Sequence, residues 1–205
     1  MTQTLILVRH GAAVGSRPGV LCGRIDPGLS EAGRRQAAGL QGMMARFPEA
    51  RLVSSPLKRA RETAEIAAGV GRPVEVDSDL QEMDFGEWEG LSYDEVAARY
   101  PEAVAGWAEF RHDFGFPGGE TLIDFAGRIE RVAQRLGSTE TGTAVAFTHG
   151  GVIRALICHF LGLPLRDYLL FDVSPGGVAT IRLWGERGVL TALGPVDAFS
   201  EGEGE

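Results

Sequence analysis

The sequence predicts one α/β domain built on a parallel sheet, with a mostly helical insert. Three observations carry that expectation. Leu5-Ile6-Leu7-Val8 and Ala144-Val145-Ala146-Phe147 are uninterrupted apolar runs, the pattern of strands covered on both faces. Between them, apolar residues recur at helical spacing. Each run also ends in residues that carry chemistry, Arg9-His10-Gly11 after the first and Thr148-His149-Gly150-Gly151 after the second. Open α/β sheets place their ligands at the carboxyl ends of such strands.

Taken in order, residues 4–9 read as the first strand, and a Gly- and Pro-rich loop follows. Ser30 is placed to cap a helix over 31–47, with Glu31 in its first turn and Ala37, Leu40, Met44 and Phe47 on its apolar face. Residues 51–54 form a short strand. Ser55 and Pro56 fit the cap and first position of a helix over 57–69. Val74–Val76 reads as a further strand. Residues 92–137 are helical in pattern, broken around Phe116-Pro117-Gly118-Gly119; from Thr121, Leu122, Phe125, Ile129, Val132 and Leu136 share one face, and Gly137 is a stop signal. A strand over 143–148 leads to a helix over 151–162. Val178–Trp184 and Val189–Leu193 then close the domain as a pair of strands around 185–188. The domain is expected to span 1–199 with its insert at 92–137, and the acidic residues 200–205 to be a disordered tail.

Composition narrows the function. A chain of 205 residues with 44% hydrophobic content suits a soluble enzyme with one buried core. Its apolar runs are too short to span a bilayer, and no export signal opens it, so a cytoplasmic protein is expected. Cys22 and Cys158 lie far apart and outside any zinc spacing, which argues for reduced thiols. The net charge of −8 argues against nucleic acid but not against a phosphorylated substrate, because clustered arginines dominate their own cleft.

The strand ends suit phosphoryl transfer. An imidazole at His10 is a competent nucleophile when one ring nitrogen is free and the other is held. Arg9 offers a planar fork for phosphoryl oxygens. Arg59, in the first turn of its helix, and His149, leading into Gly150-Gly151, sit where free backbone N–H groups favour an anion. Between them lies Leu80-Gln81-Glu82-Met83-Asp84-Phe85-Gly86-Glu87-Trp88-Glu89-Gly90, one carboxyl of which can protonate a leaving alkoxide. The other residues have plainer readings. Arg61 lies roughly 200° around the helix from Arg59 and is expected to face solvent. The carboxylates of Asp84, Glu87 and Glu89 read as a solvated turn, Trp88 and Trp107 as packing, and His112 and His159 as structural or surface residues.

These motifs, in this order, resemble the histidine phosphatase superfamily, also called phosphoglycerate mutase-like. The carriers are Leu7-Val8-Arg9-His10-Gly11, the stretch Gly23–Gly33, Ser54-Ser55-Pro56-Leu57-Lys58-Arg59-Ala60, the Glu82 segment and Thr148-His149-Gly150. The resemblance implies a three-layer α/β/α sandwich, its sheet mostly parallel with one antiparallel edge strand. It implies that His10 carries the phosphoryl group, that Arg9, Arg59 and His149 bind its oxygens, and that Glu82 is general acid and then base. It implies no metal or cofactor. The short insert and the Glu82 segment point to the phosphatase branch, closest in motifs to the α-ribazole-5′-phosphate phosphatases of cobalamin assembly. Cys22, Gly23, Arg24, Glu120, Thr121 and Gly150 would then line the site. Where the family often has Thr and Asn after the first strand, this chain has Ala13 and Ser16, and the Ser16 hydroxyl or nearby backbone N–H groups are the expected substitute. A mutase and a phospho-ligand-binding module stay open beside the phosphatase reading. The expected partner is a small phosphorylated metabolite, and the closing hairpin leaves room for a homodimer.

Overall fold

A computed structural model describes residues 3–111, 113–137 and 142–196. His112 and the acidic stretch 200–205 lie outside the described residues. The strands are β1 (Gln3–Arg9), β2 (Arg51–Ser54), β3 (Glu75–Val76), β4 (Gly142–Thr148), β5 (Val178–Trp184) and β6 (Arg187–Gly194). The helices are α1 (Glu31–Gly39), α2 (Gln41–Ala45), α3 (Lys58–Ala68), α4 (Tyr93–Arg99), α5 (Pro101–Ala108), α6 (Leu122–Gly137) and α7 (Gly150–Leu161).

The six strands form one sheet in the order β3-β2-β4-β1-β5-β6. β1, β2, β3 and β4 run parallel. The antiparallel part is a hairpin at one edge, β5 against β1 and β6 against β5. Alternation along the strands makes the layers. Leu5, Leu7, Ala144 and Ala146 face a core shared with Phe125, Ile129 and Val132 of α6 and Val152, Ile153 and Leu156 of α7. Ile6, Val8, Val145 and Phe147 face the other way, onto Leu40, Met43 and Met44 around α2 and Ala64 and Ala67 of α3. β1 and β4 are therefore apolar throughout because both their faces are covered. Each fully buried large side chain contributes on the order of 1.5–3 kcal/mol, so the two strands form a rigid platform.

That platform carries a topological switch. From β1 the chain crosses by way of α1 and α2 to β2, which lies beyond β4. From β4 it crosses through α7 to β5, which lies beyond β1. The connections diverge and leave a crevice at the carboxyl ends of the two central strands. The register pairs Arg9 with Thr148, and His10 N–H donates to the Thr148 carbonyl at 3.0 Å, so His10 and His149 leave the sheet side by side.

Several expected elements are corrected. The single helix over 31–47 is two, separated at Leu40, whose N–H donates to the Ala37 carbonyl, three residues back, at 3.2 Å. Gly39 and Gly42 flank the break, where helix propensity is lowest. The helix expected from 57 begins at Lys58 after extended Leu57, and Ser55 Oγ accepts from the Leu57 N–H. Of the stretch 92–137, α6 packs against β1 and α7 as part of a main layer; only α4, α5 and the loop to residue 121 lie apart from the sheet. Among the described residues no helix is long and apolar enough to cross a membrane.

Candidate active site

Five expected residues meet at the switch point. Gly11 bends the chain directly after His10, and a side chain there would strike the Gly33 carbonyl at 2.4 Å. This close approach leaves the Gly11 carbonyl 2.7 Å from His10 Nδ1. A carbonyl only accepts, so Nδ1 carries the proton and Nε2 keeps its lone pair. Nε2 accepts from Arg59 Nε at 3.2 Å. Arg59 is almost fully buried. Its Nη1 donates to the Ile25 carbonyl at 2.7 Å and its Nη2 to the Gly23 carbonyl at 2.7 Å. Thr63, one turn along α3, ties this corner together: its hydroxyl donates to the Arg59 carbonyl and accepts from Gly11 N–H.

His149 is fully buried at the N-cap position of α7, its ring 5.1 Å from that of His10 in an edge-on arrangement. Its Nε2 meets Ser55 Oγ at 2.8 Å, while its Nδ1 is buried with no partner among the described residues. Arg9 anchors one Nη nitrogen on the Val173 carbonyl and leaves Nε buried without a partner among the described residues. Gly150 permits this, since a Cβ there would press on the Arg9 guanidinium at 3.3 Å. Glu82, buried, accepts from Met83 N–H through Oε1 and from Gly151 N–H at the start of α7 through Oε2, both at 3.0 Å. A side chain at Gly151 would sit 2.5 Å from Glu82 Oε1.

Electrostatics follow from burial. Desolvation, then the Arg59 and Arg9 charges, push His10 down to about 3. Burial, then His10, Arg59 and Arg9, hold His149 well below the ordinary imidazole range. Both rings are therefore neutral at neutral pH. The unfolded chain, with imidazoles near ~6.5, binds more protons than the folded one between that value and the folded one. The contribution of His10 to stability is thus present above pH ~6.5 and is lost as pH falls toward about 3. The drop in melting temperature between pH 7 and pH 4 is expected to be smaller in His10→Asn than in the native chain; equal drops in the two would contradict this.

The rim differs from expectation. Glu120 does not line the mouth: it pairs with Arg128 and is buried. Thr121 is a helix cap, its Oγ1 accepting from Asp124 N–H at 3.0 Å. Ser16 is exposed and spends its hydroxyl on the Ala13 carbonyl, and no contact joins it to His10 among the described residues. Cys22 and Gly23 act through backbone carbonyls that hold Arg59. Arg24 stays at the rim, half-buried, with Nε unpartnered among the described residues. Glu89 does not belong to a solvated turn. Its carboxylate accepts from the N–H groups of Gly23, Arg24 and Ile25 and so fixes the loop on which Arg59 hangs. Asp84 likewise accepts from Gly86 N–H, and Glu87 from the Tyr100 hydroxyl. The roles of Glu89, Ser55, Thr63 and Arg128 at the site are not visible in the sequence. For Gly151 the doubled glycine after His149 was a usable signal; the others lie too far along the chain from their partners. Trp88 is packing, fully buried against Trp107 and Phe116. Arg61 faces outward and pairs with Glu65. Among the described residues no three His, Cys, Asp or Glu side chains gather as a metal site.

A neutral imidazole with an unprotonated nitrogen, flanked by two guanidinium groups and a second buried imidazole, defines an α/β protein that handles phosphoryl groups. Comparison with known proteins agrees. The model of the histidine phosphatase superfamily (branch 1) matches residues 5–194. Phosphoserine phosphatase 1 of Hydrogenobacter thermophilus is 33% identical over 191 residues, 92% of this chain and 90% of that protein. Glucosyl-3-phosphoglycerate phosphatase of Mycolicibacterium vanbaalenii is 34% identical over 209 residues, 97% of this chain and 90% of that one. The solved structure of the alpha-ribazole phosphatase from Shigella flexneri matches with a TM-score of 0.80 at 25% identity, covering 93% of this chain and 96% of that one. The chain belongs to the histidine phosphatase superfamily, branch 1, and is a phosphatase of that superfamily.

Proposed function

We propose that the chain hydrolyses a small alkyl phosphomonoester through a phosphohistidine formed on Nε2 of His10. One observation carries this reading. The unprotonated Nε2 of His10, which accepts from Arg59 Nε, shares its buried corner with two nitrogens that lack partners among the described residues: Arg9 Nε, a donor, and His149 Nδ1, a donor when the Ser55 hydroxyl gives its hydrogen to His149 Nε2. Buried polar groups are rarely left unsatisfied, and phosphoryl oxygens would satisfy these. Arg59 Nε donates to that same Nε2, so this hydrogen bond gives way as Nε2 attacks phosphorus and its N–H turns to a phosphoryl oxygen.

In the first step His10 Nε2 attacks phosphorus and the bond to the ester oxygen breaks. Glu82, in its acid form, gives its proton to the departing alkoxide, which leaves as the alcohol. In the second step a water molecule attacks the phosphohistidine. Glu82 takes a proton from that water, the N–P bond breaks with its electron pair returning to Nε2, and inorganic phosphate leaves. Arg9, Arg59 and His149 hold the oxygens through both steps. Glu82→Gln is expected to lower the turnover of alkyl esters roughly 10²–10⁴-fold in a steady-state phosphate-release assay. A loss under tenfold would remove Glu82 from the proton donor's role.

The substrate is a small phosphorylated metabolite. Phosphoserine, glucosyl-3-phosphoglycerate and α-ribazole 5′-phosphate, taken from the names of similar proteins, form the test panel, with 3-phosphoglycerate and p-nitrophenyl phosphate beside them. Phosphate release that depends on His10, with one ester strongly preferred, is the expected result. Isomerisation of 3-phosphoglycerate faster than phosphate release would instead make the chain a mutase.

A further inference from the structure

Arg128 is the one arginine on α6 whose side chain is buried, and its hydrogen bonds divide between Glu120 and the segment that carries Glu82. Its Nε and Nη2 donate to the two oxygens of Glu120 at 2.6 and 2.9 Å, and its Nη1 donates to the carbonyls of Asp79 at 2.8 Å and Gln81 at 2.7 Å. Gln81 immediately precedes Glu82. On the far side, Glu120 N–H donates to the Asp84 carbonyl at 3.0 Å, and Glu120 Oε2 accepts from Asp84 N–H at 3.4 Å. The pair thus grips the backbone one residue before Glu82 and two residues after it.

Its placement is costly. The side chains are 6% and 10% exposed, and a buried ion pair seldom stabilises more than an apolar pair of the same volume. The fold of the neighbouring turn does not rest on it alone, because Arg131 and Arg135 hold Asp79, and Arg135 holds Asp77, from the exposed side of α6. What the guanidinium adds is a rigid fork that reaches two carbonyls and a carboxylate at once. We propose that Arg128, braced by Glu120, is a positioning residue that holds Glu82 where its proton meets the leaving oxygen. The proposal rests on the assignment of Glu82 as proton donor.

The test replaces both charges together, Arg128→Met with Glu120→Leu, so that neither is left buried alone. The pair is made in the native chain and in the Glu82→Gln background. Turnover is measured with phosphoserine, or with whichever alkyl ester of the panel is fastest, and single-turnover phosphoenzyme formation is measured with p-nitrophenyl phosphate. In the native background kcat for the alkyl ester should fall roughly 10- to 100-fold, the scale of a misplaced catalytic group, with KM little changed. In the Glu82→Gln background the further loss should stay within about twofold, because the group being positioned is already gone. Phosphorylation by p-nitrophenyl phosphate, whose leaving group departs without a proton, should fall far less. Equal losses in both backgrounds, or for both esters, would make the pair structural and overturn the proposal. A Glu82→Gln effect under tenfold would overturn it by a different route, by removing Glu82 itself from the chemistry.

Discussion

His10→Ala is expected to abolish phosphate release, with a loss on the order of 10⁴-fold or more, and to abolish covalent labelling by substrate. The reason lies in how few atoms the mechanism leaves in a reactive state. His10 Nε2 is the one imidazole nitrogen at the switch point whose lone pair is assured, because the Gly11 carbonyl fixes the proton on Nδ1. His149 cannot take over. It is fully buried, its Nε2 is engaged with Ser55, and it starts α7 rather than turning out of the strand. The measurement is phosphate release beside an alkaline quench that preserves an acid-labile phosphoenzyme. Labelling retained in His10→Ala would place the nucleophile elsewhere. The variant should also be folded, since among the described residues the His10 side chain joins no other element except through the bond from Arg59, and its backbone bonds to Thr148 and Gly176 survive the substitution.

Arg59→Ala is expected to lower both stability and activity. The guanidinium satisfies the carbonyls of Gly23 and Ile25 while donating to His10, so its removal takes the donor from a buried acceptor at Gly23 and a part-buried one at Ile25. The cost is about 2–4 kcal/mol, which in a chain of this size lowers the melting temperature by roughly 5–15 °C. Activity should fall roughly 10²–10³-fold, the usual loss when a charge-stabilising donor is removed. Arg59→Lys should recover little, because a point charge cannot reach His10 and two carbonyls together. Arg61→Ala, two residues away on the exposed side, should leave both properties near native, because a solvent-exposed pair contributes little. Melting curves and competitive inhibition by inorganic phosphate check these expectations. An Arg59→Ala variant that melts with the native chain would mean that loop 22–25 is held by Glu89 without help.

Two kinds of information separate in this molecule. Elements whose apolar pattern covers both faces of a strand or one face of a helix were legible locally. β1, β4, β5 and α6 fall within a residue or two of their expected bounds. So were the residues that end those elements, Arg9, His10 and His149. The misjudged residues have hydrogen-bond partners other than those their sequence context suggests, and for Glu89 and Glu120 those partners lie beyond a turn's length. Glu89 looked like part of a solvated turn because nothing within a turn's length of it needs an acceptor; the N–H groups it serves lie more than sixty residues earlier. Glu120 looked like a rim residue because its counterion stands eight positions on, inside a helix whose apolar face gave no hint of a buried cation. Ser16 seemed fit to replace an amide because hydroxyls donate as amides do, yet the turn back to Ala13 takes that hydrogen.

The α/β architecture, the two strands at its centre and the candidate site residues at their ends can all be read from the order of residues alone. Burial writes its period directly into the order of apolar residues, and chemistry writes its groups at strand ends. Packing of the layers sets which ring nitrogen of His10 is unprotonated, which loop Arg59 supports, and which cation braces the Glu82 segment. Those outcomes depend on hydrogen bonds between atoms far apart in the chain. A bond of about 3 Å is set by how the layers pack, which no local spacing encodes.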